Sequence, residues 1–246
     1  MDWLSLVEKK CGIKILKWEK FFSRRNEVFA VEGLGEKARR VKYAVKNYCQ
    51  EGTFIEPWIM EELAAAGVKV PKLIWYNDHI MVTEFISGAV LADLMEKDDV
   101  RKTKTPLWTE QLARWLFRLH SVKKFEGLYF SMPDLNLRNF IFDGKDLFGL
   151  DFEELVFHQP ERDLGGVAAF ILSSNPMFEP WKFDAVGHLI KSYDELRKIN
   201  IWTVEKYFFA EMEATAIRRK GQRDYLRGKI TELKAQKLFE DVKYAR

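Results

Sequence analysis

Two carboxylates and a carboxamide beside short apolar runs are the part of this sequence that could do chemistry. Asp134 opens the run Asp-Leu-Asn-Leu-Arg-Asn that ends at Asn139 ahead of Phe140, and Asp151 follows Asn139 by twelve residues. The flanking apolar runs predict a strand-loop-strand hairpin, a rigid frame that holds such groups side by side. A loop carboxylate can take the proton of an attacking hydroxyl, and a carboxamide with a second carboxylate offers the oxygen ligands that a hard divalent cation prefers. Phosphoryl transfer uses that combination, with the metal set against nucleotide phosphates. On the template of that chemistry Asp134 maps onto the base and Asn139 and Asp151 onto magnesium ligands, with ATP as the donor. Asn136 and Arg138, inside the same loop, fall near the transferred phosphoryl group.

Other elements must position a nucleotide for these groups. The alternation Val41-Lys-Tyr-Ala-Val-Lys46 predicts a strand ending on a lysine, whose ammonium can meet phosphate oxygens. Glu56 stands before a helical stretch, 57–66, closed by Gly67, and is the carboxylate that would orient Lys46. Upstream, residues 2–10 read as a short helix, 13–22 as a half-buried strand and 28–31 as its hairpin partner. The loop between those strands holds Ser23 and Asn26. It serves either as a glycine-poor phosphate cap or as a plain polar turn. Residues 72–76 and 80–85 form a second hairpin around Asn77 and Asp78, which leads through Glu84, Phe85 and Ile86 into a hinge whose backbone could pair with an adenine edge. Glu84 and Ile86 therefore join Ser23, Asn26, Lys46 and Glu56 as candidate nucleotide contacts.

Beyond the hinge the pattern turns helical. Leu91 to Met95 starts a helix, 98–105 reads as a charged connection, and 106–120 is a long amphipathic helix with His120 packed or capping at its end. Asp163 stands at the mouth of an apolar helix, as a site residue or simply an N-cap. From about residue 182 the rest reads as helices, with Tyr207, Phe208 and Met212 on an inner face and a basic segment, 218–229, after it.

With 246 residues, 47% of them hydrophobic, the chain can bury a sizeable core in one domain or two lobes. Its 40 basic and 37 acidic side chains leave +3, too little for a global field that would announce nucleic acid or membrane. Cys11 and Cys49 stand far apart, in no ligand-like spacing, which argues against a disulfide framework or a zinc site. No signal peptide or membrane span is expected, so the reading is cytoplasmic.

Taken in order, Lys46, Glu56, the hinge, Asp134, Asn139, Asp151 and Asp163 resemble the protein-kinase-like superfamily, in its aminoglycoside phosphotransferase and choline kinase branch. The likeness covers roughly residues 20–172 and rests also on Arg25 to Glu32, on Glu56 seven residues before Leu63 with Ala65 to Pro71 after it, on Leu119-His120 and on Asp151-Phe-Glu. It implies an α+β fold: a sheet-rich N-lobe over residues 1–87 and a mainly helical C-lobe over 88–246. The implied activity is transfer of the terminal phosphate of ATP, with Mg2+, to a hydroxyl of a small molecule. Twelve residues separate Asp151 from Asp163, too few for the peptide-docking segment of a typical protein kinase. Met132-Pro133 replaces the family's His-Gly before Asp134, and Glu153 stands where protein kinases carry glycine. The alternatives are a compact protein kinase of the Rio type and a pseudokinase scaffold. If segment 218–229 faces the cleft, it favours an anionic acceptor such as a phosphorylated sugar, a lipid head group or RNA.

Overall fold

The computed structural model describes residues 3–49, 55–103, 105–122 and 124–236. It divides into two compact units: Met1–Gly88 with Phe148–Glu153, and Ala89–Leu147 with Glu154–Arg246.

The first unit begins with helix α1 (Trp3–Cys11), followed by strands β1 (Lys14–Phe21), β2 (Glu27–Leu34) and β3 (Arg40–Asn47). Helix α2 (Glu56–Ala65) and the hairpin β4 (Leu73–Tyr76) and β5 (Ile80–Glu84) complete it. These strands form an antiparallel sheet in the order β1-β2-β3-β5-β4. Its core is aliphatic and aromatic, with Val7, Phe29, Val31, Val45, Ile80 and Val82 buried together. The β4–β5 turn is closed by Asn77, whose Oδ1 accepts the amides of His79 and Ile80, the local side-chain hydrogen bonding that makes Asn a turn former. Helix α2 ends where the chain turns through Gly67, at φ +80°, a conformation that glycine adopts without strain.

Strand β1 departs from its expected half-buried alternation. Along Lys14–Phe21 only Ile15 is even partly buried. The strand lies at the edge of the sheet and slips register between Ile15 and Lys17, so a strand neighbour shields it on one side only.

The second unit opens with β6 (Ala89–Val90), α3 (Leu91–Arg101) and α4 (Leu107–Val122), followed by β7 (Lys124–Phe125), β8 (Leu128–Ser131), β9 (Phe140–Phe142) and β10 (Leu147–Gly149), the last reaching into the first unit's segment. Then come β11 (Val156–His158), α5 (Pro160–Ser173), α6 (Pro180–Leu196), α7 (Ile201–Arg218) and α8 (Arg223–Gln236). Here the expected charged connection over 98–105 is corrected: Asp98 to Arg101 continue α3, which ends at Lys102 in a left-handed conformation. Asp98 instead takes the indole N–H of Trp108, and Asp99 that of Trp181. Helix α4 follows its periodicity, burying Trp108, Leu112, Trp115, Leu116 and Leu119, each worth about 1.5–3 kcal/mol of apolar transfer. Helix α7 is capped by Asn200, which accepts the amides of Trp202 and Thr203. Phe208 and Met212 are buried as expected, and Tyr207 is half-buried.

Helices α5 and α7 pack backbone to backbone at Gly165. A Cβ there would stand 2.6 Å from the Phe208 backbone nitrogen and 2.7 Å from the Val204 carbonyl oxygen. At Gly166 the nearest such atom is Leu135 Cδ1 at 3.8 Å. Gly165→Ala should therefore destabilise the protein by about 1–3 kcal/mol, as overpacking against rigid backbone does. Gly166→Ala should be neutral or stabilising by up to about 1 kcal/mol. Urea unfolding of the two variants checks this, and equal effects would place the helix crossing elsewhere.

Candidate active site

Lys46 leaves β3 three residues after Tyr43 pairs with Glu84, and its ammonium is enclosed by acids. Its Nζ lies 2.8 Å from Glu56 Oε2, 2.8 Å from Asp151 Oδ1 and 2.6 Å from Glu153 Oε1. Glu56, the first residue of α2, is 1% exposed. A buried carboxylate is costly unless its lone pairs are taken, and here they are. Oε2 accepts from Lys46 and, at 2.6 Å, from the Tyr48 hydroxyl, while Oε1 accepts the Phe152 amide at 2.9 Å. One side chain thus ties β3, α2 and the turn after β10. That turn is further anchored by the Gly149 amide on the Lys69 carbonyl. Asp151 sits in it at φ +63°, a left-handed conformation that Asp tolerates better than most side chains.

Burial pulls the Lys46 ammonium toward discharge, but Glu56 and Asp151 outweigh it, and its pKa ends well above the ordinary lysine value. Burial, then the Glu56 charge, push the Tyr48 phenol far up, so it stays a donor.

Residues of the β1–β2 loop fold inward on this cluster. Ser23 Oγ accepts the Asn26 amide at 3.4 Å, and Asn26 Nδ2 donates to Glu153 Oε1 at 2.6 Å. Glu153 was noted in the sequence only as a departure from glycine. It joins Glu56 and Asp151 in a set whose carboxylate oxygens lie within 4.8 Å of one another. At the expected hinge, Glu84 is spent on the sheet: its amide donates to Lys72 O and its carboxylate accepts the Lys72 amide. The Phe85 amide donates to Lys42 O. Ile86 is half-buried beyond them.

In the helical unit, Asp134 is exposed on the loop after β8. Asn136 caps a 3-10 turn, Leu137–Asn139, by accepting the Arg138 amide, and Asn139 Nδ2 donates to the Asp134 carbonyl at 3.3 Å. The loop residues Asp134, Asn136, Arg138 and Asn139 are therefore brought together. Arg138 lies 3.9 Å from Asp93 and 3.8 Å from Glu96.

Asp163 is not the N-cap of α5, a position held by Gln159. It lies inside the first turn, 1% exposed, and its carboxylate reaches out of the helix. Oδ1 accepts the Ser131 hydroxyl, and Oδ2 accepts the Met132 amide at 3.0 Å and faces His120 Nε2 at 3.0 Å. His120 Nδ1 meets the Tyr193 hydroxyl at 2.8 Å. An Nε2–H tautomer satisfies both contacts, so His120 is a packed histidine, and the chain entering the Asp134 loop is pinned through Met132.

A sheet with a buried lysine–glutamate pair and an acidic turn, and beside it in sequence a helical unit carrying an Asp-Asn loop, define a kinase-like fold. By sequence the chain belongs to the RIO domain family, whose model matches residues 5–153. No curated protein matches the sequence. Among solved structures, an ethanolamine kinase from Plasmodium vivax is similar at TM-score 0.61 and 12% identity, covering 82% of this chain and 76% of that one. A choline/ethanolamine kinase family protein from Mesorhizobium loti gives 0.60 and 16%, covering 92% and 88%. A thermostable mutant of the aminoglycoside phosphotransferase APH(4)-Ia, in complex with ADP and hygromycin B, gives 0.53 and 10%, covering 92% and 98%. The kinase-like resemblance read from the motifs holds, and the Rio-type alternative names the matching family. Among the described residues no helix is long and apolar enough to cross a membrane.

Lys46 has a raised pKa, so its contribution to stability is complete below the unfolded lysine value of about 10.4 and is lost only as pH rises through the folded value. Lys46→Met, which strands three acids, should destabilise the protein by about 3 kcal/mol or more. The difference from wild type should be the same at pH 6 and pH 9. Urea unfolding at the two pH values measures it, and a difference that shrinks at pH 9 would mean the ammonium discharges inside that window.

Proposed function

We propose that the protein is an ATP-dependent phosphotransferase that moves the terminal phosphate of ATP to a hydroxyl of a small molecule. The observation that carries this reading is the charged Lys46 held by buried Glu56 beside Asp151. On this reading Lys46 positions the nucleotide phosphates and Glu56 orients Lys46. Ser23, Asn26, Glu84 and Ile86 are the remaining nucleotide contacts, Ile86 through the hinge backbone and Glu84, whose amide and carboxylate are held by Lys72, through its carbonyl alone. Asp134 takes the proton of the acceptor hydroxyl. As it does so, the acceptor oxygen bonds to the terminal phosphorus, the bond from that phosphorus to the bridging oxygen breaks, and ADP leaves. Asn136 and Arg138 stand by the transferred group.

The donor set fits magnesium, since Asp151 and Glu153 offer hard carboxylate oxygens within 4.8 Å of one another. Glu56 is already engaged on both oxygens, so Asp151 and Asn139, with Glu153 as a further ligand, are the residues that would hold the ion. When bound, magnesium would neutralise charge on the phosphate oxygens.

A small acceptor is favoured over a peptide because the stretch from Asp151 to Asp163 is occupied by β11, paired along its length with β8. The RIO domain match supports a second reading, transfer to a protein hydroxyl. A nucleotide-binding scaffold without turnover is the third.

ATP with magnesium at a hundred times its dissociation constant should add about 2.7 kcal/mol, or roughly 5–10 °C in Tm for a chain of this size. Asp151→Ala should abolish the magnesium-dependent part of that shift. Asp134→Ala should keep the shift and lower turnover by about 10²–10⁴-fold. No shift with ATP or GTP sinks the nucleotide reading, a shift without turnover on any acceptor makes the protein a scaffold, and label appearing only on protein favours the second reading.

A further inference from the structure

The helical unit contains a cleft of about 560 Å3, and of the residues that line it only Arg138 has been given a role so far. Glu96 of α3 lines one side, Arg138 of the Asp134 loop another, and Arg219, Lys220 and Gln222 between α7 and α8 a third. The cations outnumber the carboxylate three to one in this lining.

Among the described residues none of these cations has a carboxylate oxygen nearer than 3.8 Å. Arg138 meets Glu96 and Asp93 only at 3.8 and 3.9 Å. Arg219 spends Nη1 on the carbonyl of Ser173, at 2.6 Å, which fixes its guanidinium without cancelling its charge. Burial, then the neighbouring Arg218, push the Arg219 pKa down, so an anion beside it relieves an existing cost. Lys220 makes no ion pair among the described residues. The same turn holds two polar atoms shielded from water and without a hydrogen-bond partner among the described residues, Gln222 Oε1 and Arg223 Nε. Folds keep such unsatisfied groups at few places, binding sites among them.

The volume lies within the range of small-molecule pockets, about 300–1,000 Å3. A polynucleotide or peptide asks instead for a groove that continues along the surface. Arg138 sits four residues after Asp134 on one short loop, so a molecule seated against it is presented to the loop that carries the proposed base.

We propose that this cleft is the acceptor subsite and that it takes a small polyhydroxylated phosphomonoester. Arg219 and Lys220 hold the phosphate, Arg138 lies between that phosphate and Asp134, and Glu96 accepts from a hydroxyl of the acceptor. This assignment rests on the phosphotransferase reading above and adds the acceptor's charge and the residues that read it. The hydroxyl that receives the phosphoryl group belongs to the same molecule whose existing phosphate is bound, and ATP supplies the group transferred.

The test uses glycerol 3-phosphate, ribose 5-phosphate and glucose 6-phosphate, with glycerol, ribose, glucose and kanamycin as neutral and cationic counterparts. Three quantities are read on the full chain: calorimetric binding of each compound without nucleotide, transfer of labelled phosphate from ATP, and the magnesium-ATP thermal shift. At least one phosphomonoester should bind and accept phosphate with kcat/KM about tenfold or more above its neutral parent, the worth of one charge-assisted contact. Lys220→Glu should raise its KM about tenfold or more with kcat little changed. Lys220→Arg should restore it, and both variants should keep the magnesium-ATP shift. KM should also rise with ionic strength. Equal use of charged and neutral acceptors, preference for kanamycin, protein or RNA, no binding by any of the three phosphomonoesters, or a KM indifferent to Lys220→Glu overturns the inference while a magnesium-ATP shift leaves the phosphotransferase reading standing. Phosphomonoester binding that Lys220→Glu abolishes, in a protein that magnesium-ATP does not shift, overturns both the acceptor role and the reading on which it rests.

Discussion

One buried carboxylate sets the arrangement of the sheet unit. Glu56 is almost wholly out of water, and each of its oxygens is taken: by the Lys46 ammonium and the Tyr48 hydroxyl on one side, and by the Phe152 amide on the other. A carboxylate in that position without partners would cost several kcal/mol, so α2 can start only where β3 and the turn after β10 meet it. Lys46 is held charged for the same reason, since the acids that surround it oppose the discharge that burial alone would favour. The geometry that would orient a nucleotide is thus also what makes the fold of this unit self-consistent.

A second buried acid does the same for the helical unit without a formal cation. Asp163 gathers the Ser131 hydroxyl, the Met132 amide and the His120 imidazole, and His120 passes the chain of hydrogen bonds on to Tyr193. Helices α4, α5 and α6 and strand β8 all contribute to this network. Its effect falls on Met132, whose fixed amide determines how the chain enters the loop at Asp134. In a sequence with Met132-Pro133 where the resembled family carries His-Gly, the anchoring of that loop comes from Asp163. A fully satisfied polar network is rigid because every alternative arrangement strands a buried polar atom.

These two knots show what a sequence discloses. Lys46, Glu56, Asp134, Asn139 and Asp151 could be picked out because each ends or begins an apolar run whose period fixes where its side chain points, and the strand and helix patterns around them correspond to real elements. Asp163 was open to misreading because a carboxylate in the first turn of a helix looks the same in sequence whether it caps its own amides or reaches to a loop 31 residues upstream. Glu153 was legible only as a missing glycine, since its contacts with Lys46 and Asn26 join parts of the chain up to 127 residues apart. At Glu84 the local pattern was right about the strand end and silent on the partner: Lys72, just before β4, takes the amide and carboxylate that a hinge would offer to a base. Strand β1 alternates convincingly but lies at an edge, and only the strand order reveals that it is paired on one side alone. The segment 218–229 showed its charge in sequence, but not that Arg219 and Lys220 line a cavity together with Arg138.

Charge then separates what the two units can bind. Around Lys46 one ammonium stands among three carboxylates, a net negative cluster that repels a bare triphosphate. On the phosphotransferase reading the nucleotide can approach only with a divalent cation, whose charge changes the sign of the interaction. Glu153 holds Asn26 and Lys46 at once, and a metal that draws on Glu153 would loosen both contacts together. The cleft of the helical unit has the opposite excess, three cations against one carboxylate, and can hold an anion with no metal. A polycation would have to displace Arg138 from its distant carboxylates and lie against Arg219 and Lys220, two unfavourable steps for one gained contact with Glu96. A kinase-like fold can thus keep one donor chemistry while the sign of a few side chains on a neighbouring turn decides which acceptors it admits.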